Sequence, residues 1–262
     1  MIKTPLVSVI VTTFNRRIML SEAIKSILEQ SMHDFELIII DNMSDDGTEK
    51  YIAKLRDCRI RYYRNSNDGI IAKNRNYGIE KAKGIYVAFC DDDDLWMRNK
   101  LYFQVRCIRK KSNLAMCFTR ADYYVNNKKI DFFFKRKIKK NIKFYDLLRG
   151  NLIPNSSVLV KKSVFYEIGM LNESKEIRED YEMWLRVARR YCISGIDIPL
   201  IKYRIHSSNS AEKKTEETMK AIKTLATLVK PLEIPHHVYL TNIAIQYFKF
   251  FIYLLFSKIK SN

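Results

Sequence analysis

The first ninety residues predict an α/β fold, a mostly parallel sheet with helices on both faces. Three observations carry this. Short apolar runs alternate with segments of helical spacing. The runs are continuously apolar rather than alternating with polar residues, as expected of strands buried on both faces. Polar and acidic residues gather where each run ends, and ligands of such sheets bind outside the carboxyl ends of the strands.

In chain order, Leu6–Val11 is an uninterrupted apolar strand, and Ile18–Gln30 carries Ala23, Ile24, Ile27 and Leu28 at helical spacing. Phe35–Ile40 is the next strand and stops at Asp41. Thr48–Leu55 reads as helix, Arg59–Tyr63 as strand and Gly69–Lys83 as helix. Ile85–Cys90 is β-branched, aromatic and uncharged, hence a buried strand. Beyond it the spacing predicts a helix over Trp96–Lys111 and a strand over Leu114–Val125 that turns at Asn126–Asn127. Ser156–Val160 reads as a strand, and Lys161–Ile168 and Ile177–Arg190 as helices. Ile193–Ile198 and Leu200–Ile205 are two further short strands. Residues 211–262 show no strand signal and read as two helices parted near Pro231–Pro235.

Four aspartates, Asp91–Asp94, follow the strand at Ile85–Cys90 directly. Adjacent carboxylates raise one another's pKa and call for a counter-charge. A divalent cation is one remedy, and hard oxygen ligands suit Mg²⁺ or Mn²⁺. A solvated acidic turn, or caps for a helix beginning near Leu95, is the other.

The chain has 262 residues, enough for one large core, and 47% hydrophobic with 29% charged residues is the composition of a soluble globular protein. Five scattered cysteines with no C-x-x-C spacing argue against a disulfide framework or a zinc site, and for a reducing compartment. The N-terminal residues show no signal-peptide pattern. The net charge of +18 is uneven. Residues 1–94 hold 14 Lys/Arg against 15 Asp/Glu, whereas residues 95–262 hold 33 against 14. Such asymmetry suits an anionic partner. Nucleic acid is disfavoured, because Asp41 and Asp91–Asp94 would repel phosphates.

Taken together, Val7–Arg16, Asp41–Thr48 and Phe89–Trp96 resemble glycosyltransferase family 2. Arg75–Gly78, Ser156–Val158, Glu179–Leu185 and Tyr203–His206 match in the same order and at about the family's spacing, across residues 5–210. The resemblance implies a GT-A fold, a Rossmann-like, mostly parallel sheet with helices on both faces. Its nucleotide-sugar-binding half would be residues 1–94 and its acceptor-binding half residues 95–210, with a C-terminal helical extension over 211–262. It also implies an inverting, metal-dependent hexosyl- or N-acetylhexosaminyltransferase of the cell-surface polysaccharide type. The donor would be a nucleotide-diphosphate sugar, usually with uracil as its base, and the acceptor a hydroxyl of a glycan or lipid-linked glycan.

On this pattern Thr12, Phe14 and Asn15 line the nucleoside pocket and Asp41 accepts a hydrogen bond from the base. Read without the family, Asp41 fits an Asx turn or a helix cap equally. Arg75, Asp91 and Asp92 belong to the donor site. Asp91 and Asp93 match the D-x-D metal positions, His206 approaches the Mn²⁺ or Mg²⁺, and Glu179 and Trp184 face the acceptor. Asp180 is the base that takes the acceptor proton, although a carboxylate at a helix start is also a favourable first-turn residue. A nucleotidyltransferase would carry a glycine-rich loop after the first strand, where this chain has Thr12–Arg16. The family often has a proline at the position of Arg98 and an alanine at that of Asn74.

Residues 128–143 hold eight Lys/Arg against one acid, around Phe132–Phe134. In residues 238–256 Asn242, Gln246 and Lys249 form one polar stripe on an otherwise apolar helix, and Lys258 and Lys260 follow. Both patterns suit the headgroup region of an anionic membrane. The expectation is a cytoplasmic enzyme, peripheral on the inner face of the membrane through residues 128–143 and 238–260. A helix packed on the domain or on a second subunit is the alternative for the latter segment.

Overall fold

A computed structural model of the chain describes residues 4–130, 137–205, 211–228, 240–245 and 247. The first part follows the expected alternation within a residue or two at each end. It runs β1 (Val7–Thr13), α1 (Arg17–Leu28), β2 (Phe35–Asp41), α2 (Thr48–Lys54), β3 (Ile60–Arg64), α3 (Ile71–Lys81) and β4 (Tyr86–Asp91). The order β3-β2-β1-β4 is parallel throughout. Alternate residues of these strands feed two cores. Val9, Val11, Leu37 and Ile39 pack with Leu20, Ile24 and Ile27 of α1, while Ile10, Ile38, Val87 and Phe89 face α3. The continuous apolar runs are thus explained by burial on both faces.

The second part departs from expectation at two points. Trp96 does not begin a helix. Leu95–Trp96 forms a short strand, β5, and the helix α4 starts only at Lys100 and runs to Ile108. The Trp96 N–H donates to Ser26 Oγ at 3.1 Å and the Met97 N–H to the Leu200 carbonyl at 3.0 Å, so this stretch is spent on tertiary bonds. The long strand β6 (Leu114–Val125) turns at Asn126 and Asn127, both with positive φ, into β7 (Lys128–Ile130). After α5 (Phe144–Leu148), a 3₁₀ turn at Asn155–Ser157 leads into β8 (Val158–Lys161) and α6 (Lys162–Ile168). The helix α7 spans Glu179–Arg190.

The two short strands expected near the end form one strand, β9 (Cys192–Ile205). It runs parallel to β6, and the register slips where Pro199 meets Arg120. Proline donates no ladder hydrogen bond, so it is tolerated at such an irregularity. The sheet continues from β4 through β8, β6 and β9 to β5, with nine strands among the described residues. Helix α8 (Ala211–Leu228) packs on α7, burying Ala221, Ile222 and Leu225. Among the described residues no helix is long and apolar enough to cross a membrane.

Candidate active site

The parallel register brings the polar strand ends together. Thr12 of β1 lies beside Asp91 of β4, and Thr13 beside Asp41 of β2. The chain then turns over this edge through Phe14, which is 54% exposed, and Asn15, which has a positive φ. Asn15 Oδ1 accepts the Asp45 N–H at 2.9 Å and its own N–H donates to Ser44 Oγ at 2.9 Å, tying the two loops into one rim.

Asp41 has no exposed surface. One oxygen accepts the Ser44 N–H at 2.9 Å and hydroxyl at 2.6 Å, and the other accepts the Tyr62 hydroxyl at 2.5 Å. Burial and this bond raise the Tyr62 phenol pKa. Asp41 therefore holds the turn beneath the rim, as the Asx-turn alternative expects.

The acidic turn after β4 is matched by cations and hydroxyls. Asp91 accepts from Arg75 Nη2 at 2.8 Å and Asn155 Nδ2 at 2.9 Å. Asp92 accepts from Thr13 Oγ1 at 2.8 Å and Arg16 Nη1 at 3.2 Å, and the same nitrogen reaches Asp93 at 3.1 Å. Asp94 accepts the Ser156 hydroxyl at 2.5 Å and the Arg204 N–H at 3.2 Å. Burial pushes the Asp92 carboxyl up to about 6, against the pull of Thr13 and Arg16. Burial, with Asp91 and Asp93 close by, raises Asp94 well above the usual range. Arg204 also donates to the Asp93 carbonyl and pairs with Glu22.

These residues fit a divalent cation in chemistry. Asp91 and Asp93 offer hard oxygens, and beside Asp91 the buried Asn155 Oδ1 has no hydrogen-bond partner. Among the described residues, no group of three or more His, Cys, Asp or Glu side chains is arranged to hold a metal. Arg16 bridges Asp92 and Asp93 and brings positive charge to that turn. His206 lies outside the described residues.

Facing this turn is the start of α7. Arg75, only 5% exposed, bridges Asp91 and Glu179 and so joins the strand edge to the helix. Burial opposes its charge, but Asp91, Glu179 and Asp180 outweigh that and raise its pKa. Burial raises the Glu179 carboxyl, with Arg75 opposing. The Asp180 side chain is partly exposed. Its oxygens accept the Tyr181 N–H at 2.6 Å and Asn151 Nδ2 at 2.9 Å. Trp184 has no exposed surface and packs in the core, one helical turn below Asp180 on α7.

Thr12, Phe14, Asn15, Arg75, Asp91, Asp92, Asp93, Glu179 and Asp180 thus gather around one edge of the sheet. Sequence reasoning missed Thr13, Arg16, Asn155, Arg204 and Asn151, and gave Ser156 no role. Ser156 accepts the Asp91 N–H at 3.0 Å, donates to Asp94 and accepts the Trp96 indole N–H through its carbonyl at 3.1 Å. Only its place in the Ser156–Val158 motif hinted at this.

Of the two membrane candidates, residues 131–136 and most of 238–260 lie outside the described residues. In the helical residues 240–245 Asn242 is buried and Ile243 packs on the core, while Leu240 is exposed. This turn therefore leans on the domain, and the first member of the polar stripe faces inward.

The model of the glycosyl transferase family 2 matches residues 8–169. An uncharacterized glycosyltransferase of Rickettsia felis is 31% identical over 80% of this chain, which spans 36% of that protein. The putative teichuronic acid biosynthesis glycosyltransferase TuaG of Bacillus subtilis is 30% identical, over 94% of this chain and 95% of its own. Escherichia coli WfgD, a UDP-Glc:alpha-D-GlcNAc-diphosphoundecaprenol beta-1,3-glucosyltransferase, is 28% identical over 86% and 87%. Among solved structures, S. aureus TarS 1–349 with UDP-GlcNAc superposes with a TM-score of 0.69 at 18% identity, covering 87% of this chain and 69% of that one. The mannosyltransferase PcManGT of Pyrobaculum calidifontis, with GDP-Man and Mn²⁺, gives 0.66 at 17%, covering 94% and 74%. The fold is that of the GT-A glycosyltransferases, and the chain is an enzyme belonging to glycosyl transferase family 2.

Proposed function

We propose that this enzyme moves a sugar, with inversion, from a UDP-sugar to a hydroxyl of a lipid-linked glycan in cell-surface polysaccharide synthesis. The observation that supports the reading is the Arg75 bridge, which ties the acidic strand end at Asp91 to Glu179, the neighbour of Asp180. The activity of WfgD and the UDP-GlcNAc bound to TarS support the acceptor and donor classes, and the teichuronic acid role of TuaG supports the polysaccharide setting.

In this reading Thr12, Phe14 and Asn15 seat the nucleoside on the rim that Asp41 braces from below. Asp180 accepts the proton of the attacking hydroxyl as the acceptor oxygen bonds to the anomeric carbon. The bond from that carbon to the nucleotide diphosphate breaks on the opposite side. Asn151 and the Tyr181 N–H hold the carboxylate in place, and Glu179 lies on the acceptor side. Asp91 and Asp93 would hold Mn²⁺ or Mg²⁺, whose charge would offset that of the departing diphosphate. The work takes place at the inner face of the membrane, approached through the basic second half of the chain.

Titration calorimetry with UDP, GDP and CDP, each with and without Mn²⁺, tests this. UDP is expected to bind in a metal-dependent way, and Asp93→Ala to lose the metal-dependent part. Binding of none of the three, or equal binding without metal, overturns the donor and metal assignments respectively.

A further inference from the structure

Helix α4 and its flanks carry a charge pattern that the chemistry above does not use. Residues 95–121 hold seven Lys/Arg and no Asp or Glu. Lys100 is buried, and Arg120 pairs with Asp197 at 3.1 Å. The other five, Arg98, Arg106, Arg109, Lys110 and Lys111, are exposed, and among the described residues none of them bonds a carboxylate. A run of uncompensated cations therefore follows the acidic turn.

Helical geometry collects these cations on one face. Leu101, Gln104, Val105 and Ile108 are buried, so Tyr102, Arg106, Arg109 and Lys110, at i, i+4, i+7 and i+8, share the opposite side. Arg106 Nη1 donates to the Tyr102 hydroxyl at 3.3 Å, joining two members of the stripe. The helix is pinned from beneath. Gln30 Oε1 accepts the Leu101 N–H at 3.1 Å, and Gln104 Nε2 donates to the Ser157 carbonyl at 2.8 Å. Met97 is 50% exposed and Tyr102 46%, so two large apolar groups stand at the head of the stripe. Arg98, whose carbonyl accepts the Ser31 N–H at 2.9 Å, lies four residues beyond Asp94, so the stripe begins at the site end of the sheet. From there α4 carries it for about 14 Å.

We propose that this face of α4 lies on an anionic lipid bilayer, with the five cations among the headgroups and Met97 and Tyr102 at the boundary with the acyl chains. It names a contact for the membrane setting of the proposed function and rests on that reading for there being a membrane. Cations close to an anionic leaflet are each held by its surface potential. Exposed apolar groups beside them suit the interfacial layer, where a tyrosine keeps its hydroxyl wet and its ring dry. A nucleic acid would use the cations but gain nothing from Met97, and it would run on into Asp91–Asp94, which repel phosphates. With the stripe against the bilayer, the site end of the sheet stands beside the headgroups, where a lipid-linked hydroxyl is presented.

The test needs neither sugar nor acceptor. The full chain is titrated with vesicles of phosphatidylcholine alone and of phosphatidylcholine with about 30% phosphatidylglycerol, an anionic leaflet. Binding is expected to the anionic vesicles only, and to weaken as salt is added. The triple substitution Arg106→Ser, Arg109→Ser and Lys110→Ser should weaken it at least about tenfold. Lys50→Ser, Lys54→Ser and Arg56→Ser, which remove the same charge around α2, should weaken it by at most about threefold. Tyr102→Trp places an exposed indole on the stripe, whereas Trp96 and Trp184 are buried. Its fluorescence should be quenched by brominated lipid in anionic vesicles. Unaltered circular dichroism and melting temperature show that each variant is folded. Equal losses in the two triple variants would mean that net charge alone draws the protein to lipid, and binding that survives the α4 triple would move the contact elsewhere; either overturns this inference. No vesicle binding by wild type that binds UDP normally overturns the membrane contact and leaves sugar transfer standing, whereas failure to bind UDP counts against the transfer reading whatever the vesicles show. Binding of a single-stranded oligonucleotide through the α4 cations, with vesicles ignored, gives the face to nucleic acid and overturns the lipid.

Discussion

At the end of β4 four adjacent carboxylates are matched by two guanidiniums, two hydroxyls and two backbone or amide N–H groups, and two of them are almost fully buried. At the start of α7 Asp180 is held only by an amide and a backbone N–H and keeps an open face. Buried charge is tolerable only when paired and hydrogen-bonded, so the strand-end cluster is built as a fixed electrostatic frame. A proton acceptor needs access to substrate, and the partly exposed Asp180 has it.

If the difference is real, removing charge at the two places has different consequences. Asp180→Asn keeps the shape and the Asn151 contact side by side but removes the proton acceptor. Transfer is expected to fall by roughly 10²–10⁴-fold, the usual contribution of a general base, with UDP affinity unchanged. Turnover near the wild-type rate in this variant would take the base role away from Asp180.

Arg75 is the one side chain common to both clusters. Arg75→Met leaves Asp91 and Glu179 without their shared cation in a site where Arg75 itself is almost fully enclosed. Breaking a buried pair from one side costs about 3–5 kcal/mol, read as a lowered urea midpoint. An unchanged midpoint would mean that the frame does not depend on the bridge. Cavity effects are small in this substitution, since methionine replaces much of the apolar stem.

How legible this was in the sequence follows the same division. The strand ends at Thr12, Asp41 and Asp91 could be read because a parallel sheet aligns its carboxyl ends whatever the intervening helices do. The frame around them could not. Arg16 arrives from the end of β1, Asn155 and Ser156 from the turn before β8 and Arg204 from β9, and they meet only through the β1–β4–β8–β6–β9 pairing. The Asx turn at Asp41 was legible as an alternative, but its second partner was not, because nothing in the local sequence announces Tyr62, which arrives from β3. Trp184 lies in a run that matches the family motif, yet it faces the core; the helical phase of Tyr181, Trp184, Leu185 and Ala188 pointed inward all along. Trp96 was misread as helical because the tertiary bonds of Trp96 to Ser26 and of Met97 to Leu200 outweigh local propensity.

Lys100 offers a contrast with the acidic frame. It is fully buried, with its ammonium 2.8 Å from Gln104 Oε1 and 3.7 Å from the centre of the Trp96 ring. Burial lowers its pKa to about 7. The unfolded chain, with an ordinary lysine, holds more protons between about pH 7 and pH 10.5, so this group makes stability rise with pH across that window. Lys100→Met removes the dependence. The stability of wild type relative to the variant should therefore increase from pH 7 to pH 10, by on the order of 3 kcal/mol, and stay flat below pH 7. A difference that is constant across the window would show that Lys100 is charged in the folded state, like the arginines of the frame.

The smallest effect concerns how the open cluster is steadied from outside the family match. Helix α8 lies beyond residue 169, yet its Thr224, fully buried, accepts the Arg178 N–H at 3.1 Å, and its Glu217 pairs with Arg178 Nε at 3.2 Å. Arg178 is the residue before Glu179 and Asp180, at the end of α7 where the first N–H groups have no partner within the helix. Thr224→Val keeps the shape and deletes the acceptor. The expected loss is about 1 kcal/mol, that of one buried N–H left unsatisfied, together with a modest fall in kcat at unchanged UDP affinity. The split is the useful part. Loss of stability with kcat intact would make α8 a packing element only. A fall in kcat that tracks the loss would mean that the C-terminal helix positions the base, whereas the strand-end frame stands without it.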